Sequence, residues 1–138
     1  MSPTLLALSG FLAWTLFLLI LMETIRTRLV LTGKVPSNGF LVDNANLSPF
    51  NQRLARAHAN CLEGLPVFGG IMLVAVVSDN TQLTDSLAWV LLVARIVQSS
   101  IHLYSTSETA VTLRFAAFVL QILIAVYWLL RLLAHALI

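Results

Sequence analysis

A small set of residues in this sequence combines polarity with the spacing that chemistry inside a membrane needs. Arg56, Asn60 and Glu63 recur at i, i+4 and i+7. At 100° per residue of helix they fall within about 60° of one another. Arg95, Ser99, His102 and Thr106 share a face by the same arithmetic, with Gln98 on its edge. In an apolar setting each charge costs about 2.5–3.5 kcal/mol, so each calls for a partner and a reason. Glu63 and Arg95 could pair to fix helix register, bind a charged ligand, or take part in catalysis. With His102 they could also relay protons.

The setting is set by composition. The chain has 138 residues, 59% of them hydrophobic and 10% charged. A soluble domain carries about 25% charged residues, so water is not its main solvent. Mean hydropathy is +0.91. A net charge of +2 and no basic, aromatic-interleaved patch argue against nucleic acid. The single cysteine, Cys61, excludes an internal disulfide. No metal is assigned. Length favours one domain, 1–138.

Four stretches reach the roughly 20 apolar residues of a spanning helix: Thr4–Ile25, Ala57–Val77, Leu87–Tyr104 and Val111–Leu133. The expected fold is therefore an all-α integral membrane protein, a four-transmembrane-helix up-down bundle. No basic start precedes Leu5–Met22 and no small-residue cleavage site follows, so this run reads as a retained helix. The connection 32–47 is rich in Gly, Pro and Asn; Asp79–Thr84 is a short turn. Ser48 and Pro49 suit the cap and first position of an early-starting second helix. Ser105-x-x-Glu108 matches a capping box for the fourth. Arg26, Arg28, Lys34, Arg53 and Arg56 flank the first connection, while the second holds Asp79 and Asp85. Positive-inside bias then puts the first and third connections in the cytoplasm and both termini outside.

Counted inward from that boundary at about 1.5 Å per residue, Glu63 lies about 9 Å deep, level with Gln98 and Ser99, and Arg95 about 14 Å. The second and third spans are antiparallel neighbours, so their polar faces are expected to meet. Gly69-Gly70 would admit a neighbouring helix closely. Pro66 frees the Leu62 carbonyl and should kink its helix; Arg95 or Gln98 could answer that carbonyl. His58 falls opposite Asn60 and reads as packing. Arg114 and Gln121 share a face of the fourth span, where Arg114 can snorkel to the interface. Cys61 reads as an inert core residue.

Arg56-Ala57-His58-Ala59-Asn60-Cys61-Leu62-Glu63 followed by Pro66 carries the pattern R-x-H-x-N-x-x-E-x-x-P. It resembles the helix-two signature of the MAPEG family, membrane-associated proteins in eicosanoid and glutathione metabolism. Ala94 to Gln98, running on to His102, resembles the family's helix-three arginine motif. The resemblance implies a homotrimer of four-helix chains that binds glutathione as co-substrate between subunits. The reaction implied is transfer or peroxide reduction on a lipophilic electrophile. Arg95 would be catalytic, near the thiol, since a nearby cation favours thiolate. Arg56, Asn60, Glu63, Gln98 and His102 would bind glutathione, and the partners would be the bilayer and a lipophilic small molecule. The family also contains a non-catalytic member, so the alternative is a lipid-binding or adaptor protein of the same fold.

Overall fold

The computed structural model describes residues 1–138 and is all helical; four of its stretches are long and apolar enough to cross a membrane. The first is α1, Pro3–Leu31. The second runs from α2, Pro49–Gly64, through a π-helical turn, Leu65–Gly69, into α3, Gly70–Val77. The third is α4, Asp85–Tyr104, and the fourth is α5, Glu108–Ala136. Each helix thus extends beyond the apolar run that predicted it, except at the shared ends Val77 and Tyr104. Thr106 falls outside α4, in the connection, and leaves the polar face assigned to it.

Local capping explains most boundaries. Ser48 Oγ accepts from Asn51 N at 3.4 Å with Pro49 next in line, as the sequence predicts. At α5 the expected capping box does not form. Ser107, not Ser105, is the N-cap and accepts from Ala110 N at 3.2 Å; Ser105 Oγ is used one turn earlier, accepting from Ser107 N. Pro66 does not break its helix. The chain widens to the π turn and continues, a local adjustment that lets freed backbone groups find new partners. Neither Arg95 nor Gln98 turns to the Leu62 carbonyl.

The spans alternate in direction. Thr4, at the start of α1, meets the start of α4: its N and Oγ1 donate to Asp85 Oδ1 at 3.0 and 2.7 Å. At the opposite, basic end, Arg53 Nε at the start of α2 donates to the Leu103 carbonyl at the end of α4 at 2.9 Å. The long first connection is tied down at that same end. Arg26 donates from Nε and Nη2 to Asn44 Oδ1, stacks over Phe40, and reaches the Leu41 carbonyl. Asn44 is buried and donates to the Asn51 carbonyl at 2.9 Å.

α4 is the central helix. It packs against α1, α2 and α5, and more of it is buried than of any other span. This is why it can carry polar residues at depth. α1 is part of the core, with Phe11 and Leu18 fully buried. Of the Gly69-Gly70 pair only Gly69 faces a neighbour: a Cβ there would lie 3.4 Å from Leu8 of α1, while Gly70 looks into open space. The expectation of a two-glycine contact is corrected accordingly.

Candidate functional site

Packing decides how α2 is rotated. Leu54, Ala57, Cys61, Gly64 and Phe68 face inward, because they are the apolar and small residues at helical spacing. The stripe singled out by polarity is therefore turned off the helix interface. Arg56 and Glu63 are exposed on the surface of the chain and Asn60 is half-buried at the rim. On α4 the expectation holds: Arg95, Gln98, Ser99 and His102 are all buried.

Glu63 and Arg95 do not pair; the single ion pair within the chain joins Arg26 to Glu23. Arg95 is fully buried and bends back toward the basic end, where Nη1 donates to Asn60 Oδ1 at 3.2 Å. Its guanidinium sits between two phenyl rings, 5.2 Å from the Phe11 centroid and 5.3 Å from that of Phe68. Cation–π attraction of this kind grows when the pair is desolvated. The room for the guanidinium comes from Gly64: a Cβ there would lie 2.6 Å from Nη2. Nε and Nη2 have no acceptor. A buried donor left unsatisfied costs about 1–3 kcal/mol, so a fully sealed arginine with idle donors is unusual in a purely structural role.

Around it the register of α2 on α4 is fixed. Ser99 Oγ donates to the Arg95 carbonyl at 3.0 Å and lies 3.2 Å from Cys61 Sγ. Cys61 is a buried core residue, as read. Gln98 is engaged elsewhere: its Oε1 accepts from Gln121 Nε2 at 2.9 Å, deep between α4 and α5. His102 is buried one turn closer to the basic end, and His58 is buried on the far side of α2. Arg114 is half-buried with Nε unpartnered, not extended wholly to the interface.

Asn60 and Glu63 open onto a groove of about 450 Å³ between the second span and α5. Gly64, Val67, Phe68 and Ile71 form one wall; Phe118, Ile122, Ala125, Val126 and Leu129 form the other. The π turn supplies much of the first wall. Polarity is confined to one end, and the rest is apolar. The groove is thus suited to a long apolar group with a polar head beside Asn60 and Glu63. Of the predicted residues, the fold brings Asn60, Glu63 and Arg95 to this end, whereas Gln98 is bonded to Gln121 instead and neither Arg56 nor His102 lines the groove. Gly64, Phe11 and Phe68 were not singled out from sequence. Gly64 had one signal, a small residue one turn beyond Asn60; nothing distinguishes Phe11 among the phenylalanines.

Comparison with known proteins gives one positive result. No curated protein and no solved structure matches the chain. The model of the MAPEG family matches residues 4–134, which takes in all four spans and both polar motifs. That family is in general linked to glutathione, and on this match the chain belongs to the MAPEG family.

Proposed function

We propose that the chain is a glutathione-using membrane transferase or peroxidase that acts on lipophilic electrophiles. The observation that carries the reading is the groove with a single polar end, where Asn60 and Glu63 are backed by a buried arginine with idle donors. Glutathione, when bound, supplies the thiol nucleophile. The Glu63 carboxylate accepts from its ammonium. Because Arg95 fixes Asn60 Oδ1, the Asn60 Nδ2 is turned outward to donate to a peptide carbonyl. Arg56, exposed two turns nearer the basic end, pairs with a carboxylate. Arg95 is the catalytic cation, its charge undiluted by water and its Nε and Nη2 donors uncommitted, so it favours the thiolate. Gln98 holds α4 to α5 behind this end, where His102 is also buried. Three chains assemble with the site completed between neighbours, and the basic end lies in the cytoplasm by the positive-inside bias.

A second reading has its own support. Arg95 has no exposed surface, and the groove walls are apolar, which favours a lipid-binding protein or adaptor that performs no chemistry. Purified protein in detergent separates the two. Under the first reading glutathione raises the melting temperature and an aromatic electrophile is conjugated. Arg95→Gln should then lower turnover far more than it lowers stabilisation by glutathione. Equal loss of both contradicts the catalytic role. Stabilisation without turnover supports the second reading, and no effect of glutathione removes it from the account.

A further inference from the structure

We infer that residues 40–42 of the first connection anchor it in the headgroup layer of the leaflet at the basic end, with Arg28 and Lys34 placed for anionic lipid phosphates. These residues are distinct from those assigned above to glutathione.

Height comes first. α1 has 29 residues, about 43 Å of helix at about 1.5 Å per residue, against a hydrocarbon slab of about 30 Å. Its apolar run ends at Ile25, so Arg26 stands at the edge of the slab and the last turns of α1 rise through the headgroups. Arg26 Nη2 donates to the Leu41 carbonyl at 3.2 Å, and its guanidinium lies 5.4 Å from the Phe40 centroid. The segment 40–42 is thereby held within one arginine side chain of the hydrocarbon edge, and the headgroup layer on each face is about 5–7 Å thick. Asn44 is buried and bonds both to Arg26 on α1 and to the Asn51 carbonyl on α2, so the fold fixes this height.

Chemistry comes second. In a connection rich in Gly, Pro and Asn, Phe40-Leu41-Val42 is an apolar triplet. Leu41 is 52% exposed and Val42 96%, and Leu31 at the end of α1 is 81% exposed. No side chain of the chain covers Val42. Apolar surface at this height is covered by lipid, at the boundary between headgroups and acyl chains. Asp43, which follows, turns Oδ1 back to accept from Ala45 N at 3.1 Å. Arg28 and Lys34 are exposed and neither is in an ion pair. Free bases beside an apolar tip are the combination that binds an anionic leaflet.

Electron paramagnetic resonance on the full chain in phosphatidylcholine nanodiscs reads the depth. A nitroxide is attached at Val42→Cys, at Leu41→Cys and, as a reference within the same connection, at the exposed Asn38→Cys. Cys61 is fully buried, so the parent protein controls for labelling, and unchanged gel-filtration elution controls for folding. Oxygen partitions into the bilayer, whereas a nickel chelate stays in water. The ratio of oxygen to nickel collisions should be several-fold higher at 41 and 42 than at 38. In nanodiscs that also contain phosphatidylglycerol the ratio at 42 should rise further, and Arg28→Gln with Lys34→Gln should cancel that rise. Equal ratios at 38 and 42 overturn the proposal, because the segment then lies in water. Low collision rates with both reagents at 42 overturn it too, and mean that a second copy covers the segment. A ratio indifferent to phosphatidylglycerol overturns the role of Arg28 and Lys34.

Discussion

Gly64→Ala tests the account of Arg95 directly. The added Cβ would lie 2.6 Å from Nη2, 3.3 Å from Cζ and 3.2 Å from Phe68 Cδ2. A guanidinium at the end of a free chain would swing aside at little cost. This one is bounded by Phe11 and Phe68 and tied to Asn60. Overpacking costs about 1–3 kcal/mol, and a hydrogen bond to a charged group is worth about 1.5–3 kcal/mol. Alanine's better helix propensity returns up to about 1 kcal/mol. The expected net loss is about 2–4 kcal/mol. A double-mutant cycle with Arg95→Met, read by reversible unfolding in mixed micelles, isolates the pairwise part. In the Arg95→Met background Gly64→Ala should become neutral or stabilising. The same cost in both backgrounds would refute the claim that Gly64 is small for the sake of Arg95.

Other expectations follow from the same geometry. Asp85→Ala removes the acceptor shared by Thr4 N and Oγ1 and should cost about 1–2 kcal/mol, the range of a lost helix cap; Asp85→Asn should recover part of the loss in the same unfolding assay. Gln121→Leu leaves Gln98 Oε1 buried without its donor and should destabilise by about 1–2 kcal/mol, whereas replacing both glutamines with leucine should come close to neutral. Arg26→Ala frees Asn44 and Phe40, and limited proteolysis should then cut within residues 32–48 several times faster while leaving the spans intact. Loss of the Glu23 ion pair adds little to that effect, because exposed pairs contribute about 0–1 kcal/mol.

The sequence alone determined the solvent and the skeleton. Apolar runs of spanning length, separated by Gly, Pro and Asn, leave a chain no stable fold but membrane helices, since backbone groups in hydrocarbon must pair within the segment. The cap at Ser48 was legible because a serine followed by proline has few other uses there. The cap at α5 was misread because Ser105, with Glu108 three residues on, fits the capping box, whereas Ser107, with Ala110 at that place, does not; the register of the turn nonetheless makes Ser107 the cap. The buried face of α4 was legible from Arg95, Gln98, Ser99 and His102, since polar residues in a central span have nowhere else to go. Helix α2 was not legible in the same way. Its polar stripe and its small-residue stripe lie side by side, and tertiary packing chose the small one, turning Glu63 outward and leaving Asn60 on the rim. The partner of Arg95 was decided at that step. Spacing placed Glu63 within reach, but the space left by Gly64 and the facing rings of Phe11 and Phe68 come from three separate turns of chain, and only their packing together draws the guanidinium to Asn60.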